Sequence, residues 1–470
     1  MNSKLLQRIC YACGTFGHDV FYAMIGTYFM IFVTSNLFHS DNPSHDAYMI
    51  GIVTTIILVL RILELFVDPF IGNLIDKTKT RWGRFKPWDI VGAFVAAITL
   101  AFLFTDFGGL TVTNPTLYLI LFAIVYFIMD IFYSAKDVAI WSMIPALSFD
   151  SHERDITATI ARIGSVFGAN LVTVIVMPVV LYFSLNQNGG AGDPTGWFAF
   201  ACVGGGIATL GAIILGLGTH EQESALRENK TETSAKDVFK VLTQNDQLMW
   251  TAIAYLVYGI GINIVNNFNL YYFIYVIGDA TKFSILGVIN TVIGLIAVAL
   301  FPALTAKFSR RKLFFASIAI MLVALLIYAG SGTNVTMALI GAGLFALPQP
   351  LIFLVVLMTI TDSVEYGQLK IGHRDEAVCL CVRPLVDKFA GAVSSGIIGL
   401  VAVWVGMTGG ASAADIKPDA LFHFQIVMFA APIVLMVIAS FIYRAKVTLT
   451  EAEHARIVRE LEEKWEDLSK

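Results

Sequence analysis

Twelve apolar runs, each about as long as a bilayer is thick, leave this chain little choice but a bundle of membrane-spanning helices. A span needs ~20 mainly apolar residues. The runs cover roughly 9–36, 47–74, 88–107, 116–144, 158–184, 196–218, 248–276, 283–306, 313–331, 335–360, 379–406 and 420–443. Inside hydrocarbon the backbone must satisfy its own N–H and C=O groups, and a helix does so within one segment. Composition agrees. Of the 470 residues 57% are hydrophobic and 14% charged, whereas soluble domains carry ~25% charged residues. The expected class is an all-α membrane protein.

Lys and Arg set the expected orientation, because they collect on the cytoplasmic side. With both termini inside, nearly all of them fall in cytoplasmic segments. Only Lys282 and Lys417 lie outside, and Arg61, Lys136, Arg162, Arg383 and Lys388 lie within spans. The polar stretch 219–247 is the one long connection. It divides the chain into a six-helix half (1–218), a linker, a second six-helix half (248–443) and a tail (444–470). The halves echo each other. The basic loop Asp76–Trp88 after span two is matched by Lys307–Lys312 after span eight. Six plus six spans with parallel repeats is the pattern of the major facilitator architecture, which holds its substrate between the halves. In the tail, Thr450 and Glu453 have capping-box spacing, and Ile457, Leu461, Trp465 and Leu468 form an apolar stripe among charges. That predicts an amphipathic cytoplasmic helix lying on the membrane or on the inner loops. Met1 to Arg8 reads as a short cytoplasmic lead, and the five cysteines as small packing residues.

Charges within the spans carry the functional signal. Arg61, Glu64 and Asp68 are spaced three and four apart, so they share one face of a helix. Each charge in a span costs about 2.5–3.5 kcal/mol on insertion scales. Two readings are open: an ion-pair cluster that only locks helices, or a cation or proton site. Span one carries His18 and Asp19, and His18 is expected to hydrogen-bond Asp19. Span four carries Asp130, Tyr133, Ser134, Asp137 and Trp141 on one side, with Lys136 off that stripe; Arg162 follows in span five, and Arg383, Asp387 and Lys388 in span eleven. This set suits a sugar. Carboxylates accept hydroxyl hydrogen bonds, Arg and Lys donate to sugar oxygens, and an indole such as Trp141 covers an apolar pyranose face. Asp19, Asp137 and Arg162 would form the polar pocket, with Lys388 closing it or neutralising Glu64 and Asp68. No HExxH, GxSxG or P-loop motif supports an enzyme.

These residues also carry a family resemblance. The chain resembles the glycoside–pentoside–hexuronide:cation symporters of the major facilitator superfamily. The signatures are Gly17-His-Asp19, Arg61-x-x-Glu64-x-x-x-Asp68-Pro69, Arg81-Trp-Gly-Arg-Phe-Lys-Pro-Trp88, Asp137-x-x-x-Trp141-Ser-x-x-Pro145 and Asp362-Ser-Val-Glu-Tyr-Gly367. Asn245-Asp-Gln-Leu-Met-Trp250 and Gly372-His-Arg-Asp-Glu376 make it most similar to the lactose carriers, which import lactose with a proton or exchange it for galactose. The resemblance implies sugar contacts at Asp19, Asp137, Trp141 and Arg162, with Tyr133 nearby. It implies a cation site at Glu64 and Asp68 with Lys388 against it, and a part in sugar recognition and proton coupling for His373 and Glu376. From the residues alone, that last pair reads as a loop salt bridge.

Two departures refine the expectation. Sodium-using relatives place a polar ligand where this chain has Val67, and the first acid is Glu64 rather than Asp. Sodium wants several oxygen ligands, whereas a proton needs one carboxylate, so protons are favoured over sodium; Ser134 remains a candidate donor. The lactose carriers also commonly continue into a domain resembling the phosphotransferase IIA protein, whereas this chain stops after the tail helix. Either this is a shorter member or a longer chain cut back, so no phosphorylation control is expected of it; a regulatory phosphotransferase protein would be a partner not encoded in this chain. The expectation is a proton-coupled galactoside symporter and lactose–galactose exchanger of the bacterial plasma membrane. It has no cofactor or metal beyond the co-transported ion and no nucleic-acid partner. The alternative is a sodium- or proton-coupled carrier of another glycoside, of melibiose, raffinose or glucuronide type.

Overall fold

The apolar runs fold as long helices. The computed structural model describes residues 3–38, 43–147, 151–186, 190–221, 243–371, 376–408, 411 and 413–469. In the first half the helices are α1 (Ser3–Ala23), α2 (Pro43–Lys77), α3 (Lys86–Leu103), α4 (Pro115–Leu147), α5 (Ser151–Phe183) and α6 (Pro194–Gly218). In the second half they are α7 (Asp246–Tyr271), α8 (Phe283–Lys307), α9 (Arg310–Ala329), α10 (Val335–Ala346 with Gln349–Ile371), α11 (Glu376–Val405) and α12 (Pro418–Gln425 with Ala431–Lys446). A tail helix, α13, covers Glu451–Ser469. Among the described residues, 12 helical segments are long and apolar enough to cross a membrane, as the hydropathy runs predict.

Local chemistry explains several ends. Asp193 caps α6: its carboxylate accepts from the Gly196 amide at 2.9 Å, and Pro194 occupies the first turn, where no N–H is needed. Ser309 and Asn334 cap α9 and α10 in the same way. α1 widens into π turns at Met24–Tyr28 and Val33–Leu37, and α7 widens at Tyr272–Ile277, the matching place in the second half.

Two compact units result. The first contains Met1–Glu232 with Asn266–Thr291 and Ser395–Phe424. In it α1 packs on α5 and α6, α3 on α4 and α6, and α2 on α4. Small residues permit these approaches. A Cβ on Gly168 would lie 2.2 Å from the Phe16 carbonyl oxygen, and one on Gly92 would lie 2.6 Å from that of Phe132. At the end remote from the termini, the widened turns of α1 and α7 meet within this unit. Thr34 is 2.7 Å from the Tyr271 hydroxyl, and Ser35 is 3.1 Å from that of Tyr275.

The second unit contains Thr233–Val265, Val292–Ser394 and Gln425–Lys470. The Asp362–Gly367 signature anchors its terminal side. Asp362 takes the Arg310 guanidinium at 2.6 Å, and Tyr366 donates to Asp246 at 2.9 Å. Asn245 donates to the Ser363 carbonyl at 2.7 Å, beside Gly367, where a Cβ would collide with the Asn245 side chain. The tail helix docks here. Glu451 accepts from the Arg310 amide at 2.5 Å, the His454 ring is 3.5 Å from Glu365, and Ile457 is buried. The Thr450 hydroxyl accepts from the Glu453 amide at 3.3 Å, the expected cap. Of the two predicted resting places for this helix, the described part adopts the protein surface.

Candidate functional site

The stripe on α4 forms one wall of a polar cluster in the first unit, and α1 forms the facing wall. His18 Nε2 lies 3.1 Å from Asp137 Oδ1 and 3.2 Å from the Tyr133 hydroxyl. The His18 ring stacks on Tyr133 with centroids 5.2 Å apart and meets Trp141 edge-on at 6.4 Å. Phe21 stacks on Tyr133 as well, at 4.9 Å. Tyr133 thus sits in an aromatic column, with Asp137, Asp19 and Glu64 within electrostatic reach of its hydroxyl.

His18 departs from expectation. It reaches Asp137, Tyr133 and Lys136 rather than Asp19, because adjacent helical residues diverge by about 100° around the axis. Asp19 instead keeps a buried Oδ2 with no hydrogen-bond partner among the described residues. A buried carboxylate oxygen in that condition suits a hydroxyl donor brought by a ligand.

The second stripe, on α2, joins the same cluster. Arg61 Nε donates to the Tyr126 hydroxyl at 3.0 Å. Asp130 is within electrostatic reach of both, and Glu64 of Tyr126. Ser134 on α4 donates to Asp68 Oδ1. Ser134 follows Tyr133 directly and precedes Asp137 by three, so one turn of α4 contacts both the acidic pair of α2 and the aromatic column.

The remaining predicted residues are placed less completely. Arg162 lies on α5 with its side chain exposed. Lys388 is half-buried on α11, in the second unit, one residue after Asp387, which pairs with Arg383 at 2.7 Å. The Arg383 guanidinium also covers the Phe353 ring at 4.5 Å. His373 lies outside the described residues, and Glu376 opens α11 with its side chain likewise outside them. Among the described residues, no group of three or more His, Cys, Asp or Glu converges as a metal centre.

Sequence reasoning passed over one pair. Lys136 Nζ is 3.3 Å from Asp89 Oδ1 on α3, and both side chains are essentially inaccessible, at 1% and 0% exposure. Asp89 is the second residue of the third apolar run (88–107), directly after the basic loop. Lys136 faces away from the stripe because it points into the α3–α4 contact. Burial of a lysine within a span was the available signal.

Comparison with known proteins gives the family. Residues 10–448 match the MFS/sugar transport protein family. The chain belongs to that family. It is 52% identical to the lactose permease of Lactobacillus delbrueckii subsp. bulgaricus, over 98% of this chain and 73% of the relative. It is 50% identical to the raffinose carrier protein of Pediococcus pentosaceus, over 97% and 72%. The lactose permease of Leuconostoc lactis is 40% identical, over 98% and 72%. Among solved structures, a D-xylose-proton symporter superposes with a TM-score of 0.63 at 16% identity, over 95% of this chain and 98% of that one, which shows the shared major facilitator fold. This sugar transporter is a multi-pass membrane carrier of the glycoside–pentoside–hexuronide branch and not an enzyme.

Proposed function

We propose that this family member is a proton-coupled galactoside carrier that imports lactose and exchanges it for galactose by alternating access. The observation that carries this reading is the Ser134–Asp68 hydrogen bond. It ties an acid of the α2 stripe to the α4 turn that presents Tyr133 and Asp137. A proton taken up on one side of that link and a sugar bound on the other alter the same helix.

The sugar part follows from donor and acceptor chemistry. Asp137 and the unsatisfied Asp19 oxygen accept sugar hydroxyls, and Trp141, edge-on to His18 and one turn beyond Asp137, covers an apolar sugar face. Arg162 and Lys388 are the proposed cationic donors. The names of the relatives support a galactosyl cargo, since lactose and raffinose each carry a galactosyl unit. The 50% identical raffinose carrier favours a second reading, in which the site holds that unit and tolerates what is attached to it.

The ion part rests on ligand chemistry. Val67 offers no oxygen beside Asp68, so Glu64, Asp68 and Ser134 supply few of the oxygens that sodium needs. A proton needs one carboxylate. Protonating Glu64 or Asp68 removes a charge that is costly to enclose, so the loaded halves can close and rock. His373 and Glu376 are the second proposed coupling pair. Exchange needs only the sugar-loaded transition. Replacing Asp68 by Asn is therefore expected to impair uphill uptake at least tenfold while exchange keeps most of its rate. Equal loss of both modes would refute a coupling role.

A further inference from the structure

The buried Lys136–Asp89 pair has no part in the proposed transport cycle, yet it touches the site at one atom. Lys136 Nζ lies 3.4 Å from His18 Nδ1, on the side of the ring opposite Asp137. An ammonium has three donors and no acceptor. If Nδ1 carried a hydrogen, two donors would face each other in a site where His18 is 4% exposed. Nδ1 as the acceptor from Lys136 avoids that clash and places the ring hydrogen on Nε2, aimed at Asp137 Oδ1 at 3.1 Å. The Tyr133 hydroxyl, 3.2 Å from Nε2, then cannot donate to that nitrogen. Asp89, fully buried with Oδ1 3.3 Å from Nζ but outside hydrogen-bond geometry, supplies the negative charge that lets an ammonium stay in this place. Gly92, one turn beyond Asp89, leaves room for α4, since a Cβ there would lie 2.9 Å from Lys136 Cβ.

We propose that Lys136, held by Asp89, is a positioning residue for sugar recognition: it locks His18 in the Nε2–H tautomer, and that N–H fixes the orientation in which the Asp137 carboxylate meets a sugar hydroxyl. The inference rests on the proposed role of Asp137 in binding a sugar, but the tautomer itself does not. The chain Asp89–Lys136–His18–Asp137 runs through three helices, α3, α4 and α1, so the carboxylate is set by the packing of the bundle rather than by its own rotamer.

The test is solution or solid-state nitrogen NMR of the intact protein labelled on histidine. The His18 signal is assigned by its disappearance in His18→Gln. Galactoside affinity is measured by calorimetry on the same preparations. Wild type is expected to show Nε2 protonated and Nδ1 bare. Lys136→Met is expected to lose that fixed tautomer and about tenfold in galactoside affinity, the effect of one charge-assisted hydrogen bond. Lys136→Gln, which keeps an N–H donor, is expected to restore most of both. A wild-type His18 protonated on Nδ1 overturns the proposal, as does a Lys136→Met protein with the wild-type tautomer and affinity. If Lys136→Met does not fold, the wild-type spectrum and the Gln variant still decide. A wild-type protein that shows the tautomer but binds no galactoside leaves the lock standing and refutes the sugar reading instead.

Discussion

At the scale of single residues, the chain uses carboxylates in two opposite ways. Asp193 is structural. Burial pushes its carboxyl up, but the amides of Gly196, Asn186 and Leu185 outweigh that and hold it below the usual carboxylate range. A depressed native pKa stabilises the fold above the unfolded value, near ~3.9, and that contribution fades as pH falls through the native one. Asp193→Ala is expected to cost about 1–2 kcal/mol at pH 7. Thermal unfolding in detergent should show the gap to wild type narrowing toward pH 3, and a pH-independent gap would contradict the assignment. Asp19 and Asp137 are instead the proposed acceptors for sugar hydroxyls. Their candidacy was legible in the sequence, because a charge within a span demands a reason. Their partners were not. Periodicity tells which residues share a face of one helix, as for Arg61, Glu64 and Asp68, but not which face of another helix lies opposite. Sequence alone therefore pairs His18 with its neighbour Asp19 and gives Asp89 no partner across helices.

At the scale of elements, close packing decides what the charges meet. Gly92 lets α3 approach α4 closely enough for Asp89 to reach Lys136. Gly92→Val is expected to overpack this contact and lower stability by about 1–3 kcal/mol, read as a lower unfolding temperature in detergent. An unchanged temperature would mean that the helices can part without loss. The tail helix is held by a different device. Arg310 bridges Asp362 and Glu451, with His454 beside Glu365. Arg310→Ala is expected to release α13, so that limited proteolysis cuts the tail several-fold faster while the bundle stays folded. A cutting rate like that of wild type would mean that apolar packing through Ile457 suffices. The amphipathic tail and its cap were readable from spacing. The wide turns of α1 and α7 were not, since no residue pattern distinguishes them from ordinary helix.

At the scale of the whole molecule, the two halves repeat a contact that neither motif announces. Glu221, three residues beyond α6, accepts from the amides of Arg84, Phe85 and Lys86 at the start of α3, at 2.7, 3.1 and 3.0 Å. Glu451, five residues beyond α12, accepts from the Arg310 amide at the start of α9. In each half, the chain leaving the sixth helix caps the third. Favourable charge at a helix N-terminus explains the choice of Glu. The repeat read from the loops thus has a physical counterpart at the amide level. The contacts remote from the termini differ, because there α1 and α7 meet within one unit. Tyr271→Phe with Tyr275→Phe removes both hydroxyl bridges and is expected to raise amide exchange in 33–37 and 272–277. Unchanged protection would assign that closure to apolar packing alone.

The proposed function is proton-driven galactoside transport through a site built on α1, α2 and α4. It is tested most directly by uptake of labelled lactose into proteoliposomes containing the purified protein, under an imposed pH gradient, with and without sodium, and with galactose inside or absent. The expected result is accumulation driven by the pH gradient and indifferent to sodium, with faster entry when galactose is inside. Accumulation that needs a sodium gradient, or no lactose movement under any gradient, would contradict it.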